Sequence, residues 1–174
     1  TLRLSLDERI QYLAYNELKT AVDFYQASSG SVVVLDVISG EVLAMASQPS
    51  FNPNDGSSKK PEWVRNRAVK DLFEPGSSFK PFTLAAALES GIYNEHSIID
   101  TSPGSIKVSE RLIEDPRNYG RISLADLLSR SSNVGASKIS MSIPKETFRT
   151  LLKDIGFGRS TDSGFPYEDY FQAE

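Results

Sequence analysis

With 174 residues, 19 basic against 23 acidic side chains and a net charge of −4, the chain fits one ordinary domain with a single core and offers no cationic face for a phosphate backbone, so no nucleic-acid partner is expected. Apolar residues at 39% and charged residues at 24% describe a globular segment rather than a disordered or fibrous one. The lack of cysteine excludes disulfides, thiolate catalysis and cysteine metal sites, and the single His96 cannot form a histidine-rich metal cluster.

No stretch reaches the roughly 20 apolar residues of a membrane span, and the N-terminus has no signal-peptide pattern. Ser5-Leu6-Asp7-Glu8 has the form of a capping box, and Ile10, Leu13, Ala14, Leu18, Ala21, Val22 and Tyr25 follow at helical spacing, which predicts an amphipathic helix near residues 6–27. The β-branched run at 31–37 predicts a central strand, Ser39-Gly40 a turn, and residues 41–47 the returning strand of a hairpin. From Gln48 to about Phe73 the text is polar, with Pro49, Pro53, Gly56 and Pro61, and predicts a long surface connection. The alanine-rich stretch 82–90 ends at Gly91 as a helix does. Residues 92–120, with Pro103, Gly104, Pro116 and Gly120, read as irregular, and His96 within them as an ordinary loop histidine. Ser123-Leu124-Ala125-Asp126 opens a short helix through Ser129, residues 134–141 form another, and 146–155 a third that Gly156-Phe157-Gly158 ends. The tail from Thr161 is polar and aromatic.

The chemistry-bearing stretch is Phe73-Glu74-Pro75-Gly76-Ser77-Ser78-Phe79-Lys80-Pro81. A Ser-x-x-Lys pair entering a helix places hydroxyl and amine about one turn apart on one face. A neutral amine there can take the hydroxyl proton as the oxygen attacks a carbonyl, which gives an acyl-enzyme without histidine. The lysine must then be held below its ordinary value of about 10.4, by burial or a nearby cation. Ser57-Ser58-Lys59-Lys60 and Ser142-Ile143-Pro144-Lys145 share the spacing. The first lies in a polar loop before Pro61 and the second spans Pro144, so only Ser77 and Lys80 precede an apolar helix. Ser131-Ser132-Asn133 offers a hydroxyl and a carboxamide at a break between helices, suited to proton relay and to holding a substrate amide. Ser50-Phe51-Asn52 is a decoy for it, and Asn133 as a simple helix cap is an alternative.

Glu74 to Pro81, followed some fifty residues later by Ser131-Ser132-Asn133-Val134-Gly135, resembles the penicillin-binding transpeptidases, with the class B, division-specific (septal) members most similar. Residues 30–47, Pro49-Ser50-Phe51-Asn52-Pro53-Asn54 and Arg65-Asn66-Arg67-Ala68-Val69 also look like this group. The resemblance implies an α+β transpeptidase fold related to the serine β-lactamases, an antiparallel sheet flanked by helices. This chain would supply the first two strands and the helical part. It implies a D,D-transpeptidase that cross-links peptidoglycan stem peptides during division and is inhibited by β-lactams. Ser77 would be the nucleophile acylated by a D-Ala-D-Ala stem or a β-lactam, with its backbone N–H as half of the oxyanion hole. Lys80 would be its general base, Ser131 the proton relay and Asn133 the residue bonded to the substrate's amide. It implies no metal or cofactor, and a site outside the bacterial inner membrane, tethered by an upstream helix, with glycan polymerases and division proteins as partners.

One part of that pattern is missing: no Lys-Thr-Gly or Lys-Ser-Gly occurs in residues 1–174. The expectation is therefore a partial transpeptidase domain over 1–174 that does not by itself turn over peptidoglycan. Three alternatives stay open: a β-lactamase-like acyl-serine protein, a β-lactam sensor, and a non-catalytic interaction module. Glu114-Asp115-Pro116-Arg117-Asn118 has the Glu-x-x-x-Asn spacing of the glutamate-using β-lactamases but precedes Ser131, the reverse of their order.

Overall fold

In the computed structural model, which describes residues 3–58, 60–161 and 164, the first helix α1 runs Glu8–Phe24. Its cap is Asp7, whose carboxylate accepts from the N–H groups of Arg9 at 2.9 Å and Ile10 at 3.2 Å. Ser5, expected in that role, instead donates its hydroxyl to the carbonyl of Val42 at 2.7 Å. Both residues are competent caps, and the contact with the neighbouring strand decides between them.

Strands β1, Gly30–Leu35, and β2, Val42–Gln48, pair antiparallel from Gly30 opposite Gln48 to Leu35 opposite Val42, with a slip between Val34 and Leu35. Gly40 takes φ +75° in the turn between them, a conformation that favours glycine. Helix α1 lies across the hairpin. A Cβ on Gly30 would stand 3.0 Å from Leu18 and from Val22, and the Gln11 carboxamide bonds both the N–H and the C=O of Met45 at 2.8 and 2.9 Å. Among the described residues β1 pairs only with β2, and its residues alternate between half-buried and exposed. The expectation of a central strand thus differs from what is observed, because β-branched composition reports strand type and not the number of neighbours.

The connection that follows carries two short 3-10 turns, Gly56–Ser58 and Pro61–Trp63. After them comes α2, Arg67–Lys70, capped by Asn66 and tied down by Arg65 and Arg67 on the Asp71 carboxylate. The described residues up to Leu72 form one compact unit, and Phe73 to Thr161 form a second.

In the second unit a 3-10 turn, Gly76–Phe79, leads directly into α3, Lys80–Glu89. Pro81 sits in the first turn, where its missing N–H costs nothing. Three short strands then appear where the sequence reads as irregular, β3 Ile98–Asp100, β4 Ser105–Val108 and β5 Arg111–Glu114, and a fourth, β6 Arg121–Ser123, follows directly after it. β4 pairs with β5, and β3 with β6, both antiparallel. Each is three or four residues long, too short for a period-two signal. Helix α4, Leu124–Arg130, starts at the expected Ser123 cap, whose hydroxyl accepts from the Asp126 N–H at 3.0 Å. Helices α5, Asn133–Ser142, and α6, Lys145–Asp154, complete the unit. Their shared core is Leu84, Ala86, Ala87, Ile99, Ile122, Leu124, Leu127, Ile139 and Ile143. The core joins α3 to α4 and α5, so the two segments singled out for chemistry stand on one apolar base. Most of the tail beyond Thr161 lies outside the described residues. His96 lies in a loop, 87% exposed, with Nε2 3.5 Å from Glu95.

Candidate active site

Ser77 and Lys80 meet because of how the chain enters α3. Gly76 takes φ +58°, the tight 3-10 turn carries Ser77, and Lys80 follows as the first residue of the helix. Phe79, between them, packs into a cluster with Phe82, Phe148 and Phe157 at ring-centroid distances of 5.4, 6.0 and 5.6 Å. The aromatic anchor leaves Ser77 exposed while Lys80 is 8% exposed beneath it. Lys80 Nζ donates to Ser77 Oγ at 3.0 Å.

The other half of the site comes from the break between α4 and α5. Ser131 ends α4 in the left-handed region, φ 54° and ψ 43°, uncommon for a residue with a Cβ. That conformation turns both its carbonyl and its hydroxyl toward Lys80, at 2.6 and 2.8 Å from Nζ. Ser131 Oγ also donates to Ser77 Oγ at 2.9 Å. Asn133, the first residue of α5, places Oδ1 2.7 Å from Nζ and donates from Nδ2 to the Glu114 carbonyl at 3.1 Å. All four residues singled out in the sequence are therefore brought to one place, with Lys80 at its centre.

An ammonium has three N–H donors, fewer than the four oxygens around Nζ. A neutral amine has two and a lone pair, which a serine hydroxyl can fill by donating. Burial pushes the Lys80 amine below its ordinary value, while the Asp115 carboxylate acts in the opposite direction. The downward shift expected from the sequence is present, and burial causes it.

The decoys fall away. Ser57 donates to Asp55 at 2.6 Å while Lys60 Nζ stands over the Trp63 ring at 4.4 Å. Ser142 donates to the Ile139 carbonyl and contacts Tyr93. Ser50 meets Tyr15, and Asn52 accepts from the Asn54 N–H.

Two features escape the sequence reading. The cap of α5 is Ser132, accepting from the Gly135 N–H at 2.9 Å, so the capping alternative belongs to Ser132 and not Asn133. Asp115, set aside as part of a misordered spacing, accepts from Ser132 Oγ at 2.6 Å and from the N–H groups of Asn133 at 2.6 Å and Val134 at 3.1 Å. The usable signal was an Asp directly before a Pro at a strand end, a residue pair common enough to point nowhere by itself.

The family model for the penicillin binding protein transpeptidase domain matches residues 30–170. The peptidoglycan D,D-transpeptidase FtsI of Escherichia coli K12 is 44% identical over 163 residues, which is 94% of this chain and 27% of that protein. A crystal structure described as a peptidoglycan glycosyltransferase from Burkholderia ambifaria superposes with a TM-score of 0.84 at 34% identity, over 99% of this chain and 50% of that one. The apo transpeptidase domain of Burkholderia pseudomallei penicillin-binding protein 3 gives 0.80 at 33% identity, over 95% and 46%. The fold is that of a penicillin-binding transpeptidase domain, and the chain belongs to the penicillin-binding protein transpeptidase family. It spans about a quarter of the length of the curated relative.

Proposed function

We propose that this chain carries the acylating half of a peptidoglycan D,D-transpeptidase that cross-links stem peptides during cell division. The observation that carries the reading is the contact of Lys80 Nζ with Ser77 Oγ at 3.0 Å and with Ser131 Oγ at 2.8 Å, the two hydroxyls themselves 2.9 Å apart. Ser77 Oγ attacks the carbonyl of the penultimate D-alanine, and the neutral Lys80 amine accepts its proton. The tetrahedral oxyanion is bonded by the Ser77 N–H at the start of the 3-10 turn. As the C–N bond breaks, Lys80 returns the proton through Ser131 to the leaving D-alanine amine. The acceptor amine of a second stem then attacks the ester and releases Ser77, its proton passing back along the same path. A β-lactam enters as the stem does, but its leaving amine stays tethered to the acyl group.

Asn133 holds the substrate's amide. Its Oδ1 rests on Lys80 and its Nδ2 on the Glu114 carbonyl, an orientation fixed before substrate arrives. The second oxyanion donor belongs to a strand bearing Lys-Thr-Gly, which residues 1–174 do not contain. We therefore treat the chain as a partial domain that does not turn over peptidoglycan alone. Working position at the outer face of the bacterial inner membrane, with glycan polymerases and division proteins as partners, follows from the same reading. No helix among the described residues is long and apolar enough to cross a membrane.

The test is the intact mass of the full-length protein before and after incubation with a penicillin, with peptide mapping. The reading requires a stoichiometric adduct on Ser77 that Ser77→Ala abolishes while the far-ultraviolet spectrum is unchanged. An adduct that persists in Ser77→Ala refutes the nucleophile, and no adduct at all favours the interaction module. A hydrolase would shed the adduct within the assay.

A further inference from the structure

The turn that carries Ser131 and Asn133 is not held by its own helix alone. It is held by two consecutive residues at the end of β5. The Asp115 N–H donates to the Gly104 carbonyl at 2.9 Å, which fixes the residue against the neighbouring strand. Its side chain, with the residue 9% exposed, then takes the free N-terminal donors of α5: Oδ1 accepts from the N–H groups of Asn133 and Val134, and Oδ2 from Ser132 Oγ. Ser132, fully buried, satisfies the third N–H, that of Gly135. One residue earlier, the Glu114 carbonyl accepts from Asn133 Nδ2 and so fixes which end of the carboxamide faces Lys80. The backbone of Asn133 and the orientation of its side chain are thus set by adjacent residues of a different element.

From this geometry, and resting on the proposed acyl-serine reading, we infer that Asp115 is the positioning residue that seats the Ser131–Asn133 turn against Lys80. It also supplies the negative charge next to the lysine. A carboxylate at a helix N-terminus is favourable by itself, but here the same group meets three donors and stands near a buried amine.

The charge gives the inference a readout that a purely structural role lacks. Of the charged side chains on elements packed against α3, Lys138 of α5 donates to the carbonyls of Asp100 and Ser102. Asp126 and Arg130 of α4 pair with each other, as do Glu146 and Arg149 of α6, while Lys145, Lys153 and Asp154 of α6 are exposed. The charge that acts on Lys80 is that of Asp115, and it favours the ammonium form. Removing it lowers the lysine's proton affinity further. The acylation rate, which rises with pH as Lys80 loses its proton, then reaches its plateau at lower pH.

Two variants of the full-length protein separate charge from position. In Asp115→Asn the amide oxygen can still accept from the two backbone N–H groups and the NH2 can donate to Ser132 Oγ, so the shape is kept and the charge lost. In Asp115→Ala both are lost. The measurement is the second-order rate of Ser77 acylation by a fluorescent penicillin from pH 6 to pH 10, normalised to the folded fraction from circular dichroism. Expected are a rising limb displaced to lower pH in Asp115→Asn, and a loss of about 10²-fold across the pH range in Asp115→Ala, the scale for a catalytic group misplaced by about 1 Å. If Asp115→Ala does not fold, Ser132→Ala, which removes one of the carboxylate's three bonds, replaces it with a loss of at least tenfold expected. The inference is overturned if the limb in Asp115→Asn does not move, or if the folded alanine variant acylates at the parent rate. Absence of any Ser77 adduct in the parent protein overturns the acyl-serine reading instead.

Discussion

Replacing Gly135 by alanine sets two effects of known size against each other. Gly135 is the third residue of α5, where alanine is ordinarily the better helix former by about 1 kcal/mol. A methyl built there would stand 2.7 Å from Leu127 Cδ1, 3.1 Å from Leu127 Cγ and 3.1 Å from Ser132 Oγ, against about 3.5–4.0 Å for relaxed carbon contacts. Leu127 has no room to move aside, being 0% exposed in the middle of the core. Overpacking costs about 1–3 kcal/mol, and a 2.7 Å approach to an immobile side chain belongs at the upper end of that range, so it outweighs the propensity gain of about 1 kcal/mol and leaves a net loss of up to about 2 kcal/mol. The methyl also presses on the hydroxyl that bonds Asp115, so acylation of Ser77 should slow as well. The assay is urea denaturation of Gly135→Ala, Leu127→Ala and the double variant. Leu127→Ala alone should cost about 2–5 kcal/mol. In the double variant the new methyl enters the vacated space, so the combined loss should fall short of the sum by about 0.5–3 kcal/mol. A Gly135→Ala protein as stable as its parent, or strict additivity in the cycle, would refute the packing account.

Two further outcomes follow from the strained turn. Ser131→Gly relieves the left-handed conformation and so should leave stability unchanged or raised by up to about 1 kcal/mol, while Ser77 acylation by penicillin falls; a Ser131→Gly protein acylated at the parent rate would remove the relay role. Asn133→Ala should also slow acylation while changing stability by no more than about 1 kcal/mol, since its side-chain bonds face the site and not the core. A loss of several kcal/mol with acylation intact would show that Asn133 serves the fold.

The longer helices were legible because each carries its own punctuation, whereas the four-residue α2 falls within the stretch read as a connection. Ser123 before α4, Gly91 after α3 and Gly156 after α6 mark ends by local backbone chemistry, and those ends fall where expected. The four strands between residues 98 and 123 were not legible for the opposite reason. Three or four residues cannot display an alternation, and what makes Ile99 and Ile122 partners is burial against Leu127 and Ile139, contacts distant in sequence. Asp7 against Ser5 is a case of the same kind: two adequate caps two residues apart, resolved by the bond Ser5 makes to β2.

The site shows the same division. Ser-x-x-Lys occurs three times, and local context separates the copies correctly, since Ser57, Lys60 and Ser142 of the other two are engaged elsewhere and Lys145 is exposed. Spacing along the chain could not reveal Asp115, because what matters is which strand end lies beside the N-terminus of α5. Its place in the sequence, before Ser131, counted against it under a rule about order, yet order along a chain places no limit on proximity in a fold. Lys80 shows why the omission matters. Burial draws its amine toward the neutral form that a base requires, while Asp115 draws it toward the charged form. Of the two causes open in the sequence, burial or a nearby cation, burial is the one that acts among these residues, and the charge beside the amine is an anion that raises its proton affinity. The proton on Lys80 is therefore set by a balance between an apolar base and a carboxylate also engaged in holding the helix, so a substitution at either end of that pair should move both the stability of the turn and the pH at which Ser77 becomes reactive.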